Sequence, residues 1–141
     1  MEALAIAGVA GWLVALSAYD FRSRRLPNWL TLPGAAVVLL GAALAGRGVP
    51  AALGAAALFT LYGVTHLVAP AAMGAGDVKL AAGLGGLTGA FGAEVWLLAA
   101  LGAPVLTAAC ALTSLARREA TVAHGPSMCA ASAAAVALVL V

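Results

Sequence analysis

Six stretches of this chain, at about 2–19, 29–46, 50–70, 77–91, 94–115 and 125–141, are apolar almost from end to end. Nothing else in the sequence limits the possible folds as strongly. An α-helix needs about 20 apolar residues to cross the roughly 30 Å of hydrocarbon in a bilayer. Inside that hydrocarbon the backbone finds no water, so such a run closes its hydrogen bonds within a helix. Polar side chains are too few to coat a water-facing surface. Of the 141 residues, 65% are hydrophobic and 9% charged, against roughly 25% charged in an ordinary soluble domain. The expectation is an all-α integral membrane protein, one bundle over residues 1–141 with about six transmembrane helices.

The segments between the runs set an orientation. Arg22, Arg24, Arg25, Lys79, Arg117 and Arg118 belong to loops one, three and five, and Arg47 alone lies on the other side. Basic residues favour the cytoplasmic face, so these loops are expected in the cytoplasm and both termini outside. The fourth run is the shortest. It carries Gly83, Gly85, Gly86 and Gly89, and a re-entrant hairpin is an alternative there. Small residues of this kind let helices approach closely in lipid. The formal charge of +2 includes no basic face broad enough for nucleic acid. Cys110 and Cys129 lie in apolar runs without CxxC spacing and read as small packing residues. Glu2 stands where a secretory signal would carry basic residues, so the first run reads as a span and not as a cleaved leader.

Five acids interrupt the chain. Glu2, Glu94 and Glu119 fall at the terminus or in loops, where water solvates them. Asp20 and Asp77 each sit where a span meets a loop. One crossing precedes Asp20 and three precede Asp77, so both emerge on the same face, and packing of the first helix against the fourth would let them meet. Ionisable groups near hydrocarbon are costly and usually have a partner or a function. Each has a local explanation: Asp20 can pair with Arg22, Arg24 or Arg25, and Asp77 can favour the start of its own helix or pair with Lys79. Together they suggest more. Two adjacent carboxylates share one proton and titrate as a pair. One can then act as general base on a water while the protonated partner polarises a scissile carbonyl. Ser17, Ser23, Ser114, Ser127 and Ser132 have no evident His partner. His66 in the third run and His124 at the edge of the sixth do not complete a ligand set for a metal. No metal or cofactor is expected. Gly74 and Gly76 permit backbone conformations that a Cβ forbids and would let a substrate backbone approach Asp77.

The stretches YDFRSRRLPNWLTLP (19–33) and GAGDVKLAAG (74–83) resemble the type IV prepilin peptidases, membrane aspartic proteases of the GxGD type. Their pattern is an Asp at the end of one span, a basic stretch, a Pro-Asn or Pro-Asp pair, then a distant GxGD-x-K. Here that reads Asp20, the basic segment 22–25, Pro27 and Asn28, and then Gly74, Gly76, Asp77 and Lys79. HGPSM (124–128) is similar to the Gly-Pro segment that opens the last span in that family. The resemblance implies a multi-pass enzyme of the cytoplasmic membrane, with Asp20 and Asp77 as the catalytic pair at the cytoplasmic face. Its partners would be membrane lipid and prepilin-like substrates with a short basic leader, a Gly before the cut and a hydrophobic helix. Larger members carry an N-terminal insertion with paired CxxC motifs and also N-methylate the product. This sequence has no such insertion, so peptidase activity without methylation is expected, as in the short forms associated with Flp pili or archaeal preflagellin processing.

Some motif residues also have purely structural readings. Pro27 breaks the first loop and Asn28 can cap the second span. Lys79 can balance the charge of the pair or contact lipid phosphate. Trp12, Trp29 and Trp96 read as interface or packing aromatics. Two other functions compete. A small proton-coupled transporter would place its acids near mid-bilayer, and a non-catalytic assembly factor would use them as interfacial ion pairs. A presenilin-like protease would carry a Pro-Ala-Leu tripeptide, which does not occur here.

Overall fold

A computed structural model describes residues 1–117 and 122–141; Arg118 and Glu119, assigned above to the fifth loop, lie outside the described residues. Among the described residues six α-helices follow one another: α1 (Glu2–Ser23), α2 (Asn28–Leu44), α3 (Gly48–Val68), α4 (Ala75–Gly89), α5 (Ala93–Ala116) and α6 (Gly125–Leu140). The described residues contain no strand. Three helices, α1, α3 and α5, are long and apolar enough to cross a membrane. The apolar helices α2 and α6 are shorter, at 17 and 16 residues. Length and composition alone therefore carry three crossings, not six.

The outer surface is that of a membrane protein. Val14, Leu32, Val37, Leu53, Leu101 and Leu138 are each more than half exposed. Contiguous apolar surface on this scale is a liability in water and ordinary in lipid.

The short fourth helix is the inverse of its neighbours. At 1.5 Å per residue its 15 residues span only about 22 Å. Its buried residues are Val78, Leu80, Ala81 and every residue from Gly83 to Gly89. It lies against α2, α3, α5 and α6, so it meets protein where the long helices meet lipid. That explains why its glycines do not weaken the bundle. On the α3 side the backbones nearly touch: a Cβ on Gly85 would collide with the Gly54 carbonyl oxygen, and one on Gly89 would lie 2.7 Å from the Pro50 carbonyl oxygen. Trp96 adds a tie, its Nε1–H donating to the Gly54 carbonyl at 3.0 Å.

The first helix meets the fourth through side chains and not backbone to backbone. Among the described residues α1 has its backbone neighbours in α6 and α2. The indole of Trp12 fills the space between α1 and α4. It sits where a Cβ on Gly34 of α2 would have to go, and its Cη2 would be 2.8 Å from a Cβ on Gly83 of α4. Its Nε1–H donates to the Leu30 carbonyl at 2.8 Å. Helix backbones in contact need small residues at the seam, and an indole there holds them apart. Leu16, Leu80, Leu84 and Met128, from α1, α4 and α6, close the buried core below it.

Candidate active site

Helix α1 runs past its apolar stretch and stops at Arg24, which adopts the left-handed conformation (φ 52°, ψ 24°) and donates its N–H to the Asp20 carbonyl at 3.0 Å. A non-glycine residue there is uncommon, and here it turns the chain so that Arg24, Arg25 and Leu26 fold over the helix end. Asp20 lies in the last turn and is buried. Pro27 then takes an extended conformation (φ −70°, ψ 140°) in the capping position of α2. Its carbonyl receives the Thr31 N–H at 3.1 Å and the Thr31 hydroxyl at 3.2 Å.

Asn28 is therefore not the cap that its type and place suggest. With Pro27 in that position it is already the first helical residue, and its Oδ1 accepts from Lys79 Nζ at 2.7 Å. The bond joins the start of α2 to the first turn of α4 and gives Lys79 a partner within the protein. We expect Lys79→Met and Asn28→Ala each to lower stability modestly, with a coupling of about 1 kcal/mol for this exposed, charge-assisted pair. Thermal unfolding of the single and double variants in detergent measures it, and strict additivity would show that the pair contributes nothing.

Helix α4 begins at Gly74, whose carbonyl receives the Asp77 N–H at 3.1 Å. The expectation that Gly74 and Gly76 adopt conformations closed to other residues does not hold. Among the described residues only Arg24, Gly46 and Gly92 have positive φ. Gly74 is extended at φ −73°, ψ 148°, and Gly76 is helical. What Gly76 supplies is room: a Cβ would lie 3.3 Å from Leu26 Cβ, so its smallness lets the linker after α1 rest on α4.

These pieces enclose a cavity of about 310 Å³ lined by Asp20, Arg24, Arg25, Leu26, Gly74, Ala75, Gly76, Asp77 and Lys79. The two acids thus face one space although the backbones of their helices do not touch, and they are close enough for their charges to act on one another. Pro27 and Asn28 are not among its lining residues; Asn28 reaches it through Lys79. A larger groove of about 410 Å³ runs along α1 and α6. No carboxylate lines it, so it offers no acid–base chemistry.

Contacts at the start of α6 bring in Tyr62 and Thr107, which have no clear mark in the sequence. The N–H of Gly125, the first residue of α6, donates to Asp20 Oδ2 at 3.0 Å. His124 just before it lies 3.1 Å through Nε2 from the Tyr62 hydroxyl, and its Nδ1 meets Thr107 Oγ1. The Thr107 hydroxyl proton goes to the Ala103 carbonyl at 3.0 Å. Thr107 therefore accepts from His124 Nδ1–H, and Nε2 bonds the Tyr62 hydroxyl. The one signal for this is HGP at a helix start; nothing local points to partners 62 and 17 residues away. His66, read as lying within the third span, sits in the last turn of α3 and bonds the Met73 carbonyl through Nδ1 at 2.6 Å, which tethers the loop entering α4.

Burial lowers the pKa of His124. The unfolded chain regains an imidazole that takes up a proton near pH 6.5. It then binds more protons than the native state, so stability should fall as pH drops below about 6.5. Melting curves in detergent across that range test this, and His124→Asn should flatten the slope. An equal slope in the variant would show that His124 is not the group responsible.

The sequence model of the type IV leader peptidase family matches residues 7–141. No curated protein and no solved structure matches the chain.

Proposed function

Because the chain belongs to the type IV leader peptidase family, we propose that it is a membrane aspartic endopeptidase that removes the short basic leader of prepilin-like precursors, with Asp20 and Asp77 as its catalytic pair. One observation carries the choice of residues: two acids far apart in sequence line a single cavity at the ends of their helices. Close carboxylates hold one proton between them, which supplies a base for water and an acid for the carbonyl without a covalent intermediate. Lys79 and the arginines on the rim balance their charge, and Gly74 and Gly76 leave the approach to Asp77 open.

The basic residues beside Asp20 and Asp77 favour a cytoplasmic site. In the six-crossing form of this reading both termini lie outside. Helix α4, shielded on all sides by protein, then needs neither the length nor the lipid-facing surface of a lone span. The substrate class is a precursor of the Flp-pilin or preflagellin-like kind, cut without later methylation. A transporter would carry its acids at mid-helix, whereas Asp20 stands in the last turn of α1 and Asp77 in the first turn of α4.

Co-expression with such a precursor tests the proposal. Leader removal should appear as a faster-migrating band whose mass places the new N-terminus just after the leader Gly. A membrane-inserted wild-type chain that leaves every precursor of this class intact would refute it.

A further inference from the structure

The two carboxylates stand in different surroundings. Asp20 receives the Gly125 N–H at 3.0 Å from the start of α6, and a bond to an ionised acceptor is stronger than one to a neutral acceptor. The contact requires glycine, because a Cβ at position 125 would overlap Asp20 Oδ2 and lie 3.0 Å from its Cγ. The donor is also held in place. His124 fastens this end of α6 to Tyr62 of α3 and Thr107 of α5, and Pro126 in the first turn fixes its own φ for a helix.

The charges differ as well. From its own helix Asp20 has Arg24 acting on it, with Arg25 on the cavity rim; α4 presents Asp77 and Lys79, and α6 presents Cys129. Asp77 has Asp20 acting on it, and the Gly74 N–H bonds its carboxylate. Tyr62 of α3 is within electrostatic reach of Asp77, and its hydroxyl bonds His124 Nε2 at 3.1 Å. The repulsion between the acids is mutual and each accepts one backbone N–H, so the charge that distinguishes them is Arg24 beside Asp20.

We propose that the start of α6 divides the labour within the pair: Gly125 acts as a positioning residue that holds Asp20 as the ionised general base, and Asp77 carries the shared proton. In hydrolysis Asp20 takes a proton from water as the water oxygen bonds to the scissile carbonyl carbon, and Asp77 gives its proton to the carbonyl oxygen. As the C–N bond breaks, Asp20 passes its proton to the leaving nitrogen. A hydroxyl of the intermediate returns one to Asp77 as the carbonyl re-forms, which restores the starting state.

This assignment rests on the peptidase reading, yet its test needs no substrate. Asp20 and Asp77 are the only aspartates in the chain, so labelling Asp at 13Cγ gives two carboxyl signals. Each is assigned through the residue before it, Tyr19 or Gly76. In detergent micelles at mildly acidic pH, Asp20 should resonate as a carboxylate and Asp77 as a carboxylic acid. Gly125→Ala should move the proton toward Asp20 and lower kcat about 10- to 100-fold with KM little changed. A proton on Asp20, two indistinguishable signals, or two carboxylates would overturn the assignment, as would a folded Gly125→Ala protein with unchanged signals. If that variant does not fold, the wild-type spectrum decides alone. The predicted spectrum from a chain that cleaves no precursor would refute the peptidase reading and leave the asymmetry of the pair standing.

Discussion

Asn in place of either Asp20 or Asp77 is expected to lower leader removal about 10²- to 10⁴-fold, the range for loss of a positioned acid or base, while KM stays near its wild-type value. The substitution keeps the volume of the side chain and removes the charge and its proton. At position 20 the amide oxygen can still accept from Gly125 N–H, so the end of α6 keeps its seat and the buried site keeps its packing. What disappears is the capacity to exchange protons with water and carbonyl. Leader release followed by mass spectrometry over a range of substrate concentrations separates kcat from KM. Either variant working at the wild-type rate would contradict the pairing, and a rise in KM with kcat intact would make that carboxylate a binding group.

Gly85→Leu is expected to abolish accumulation of folded protein. Its new Cβ would collide with the Gly54 carbonyl oxygen and lie 2.8 Å from Leu58 Cβ and 3.0 Å from the Gly54 carbonyl carbon. Backbone cannot rotate aside, so α3 and α4 must separate. Overpacking by a few methylenes costs about 1–3 kcal/mol where side chains can adjust, and here they cannot. A loss of that size or larger is a major share of the roughly 5–15 kcal/mol that stabilises a typical protein. Because Asp77 rides on α4, any separation also moves it away from Asp20. The comparison is Gly41→Leu, where a Cβ meets nothing within 4 Å and little change is expected. Size-exclusion profiles in detergent, with protease resistance as a second measure, compare the two; equal yields would mean that the α3–α4 seam tolerates a side chain.

Much of this arrangement is legible in the amino-acid sequence. Apolar runs mark all six helices, and Asp20 and Asp77 stand out as the acids where such a run meets a loop. Helix ends are less legible. Residues 20–23 read as the start of a polar loop yet are helical, because Arg24 and not the end of the apolar run terminates α1. The route by which the acids meet is not legible, since a pattern of small residues says which helices can approach and not which do. Trp12 decides that instead, by occupying the space between α1 and α4. Asn28 has the type and place of a cap, but Pro27 holds the capping position and leaves the amide free for Lys79. The links from His124 to Tyr62 and Thr107 have no local signature, because side chains on three helices meet only once the bundle has formed.

The central claim is that Asp20 and Asp77 act as one unit. Single-turnover leader release by the reconstituted protein, measured for Asp20→Asn, Asp77→Asn and the double variant, tests it most directly. Groups that work as a unit lose nearly everything at the first substitution. One common residual rate is expected for all three variants, and losses that multiply in the double variant would show that the two acids act independently.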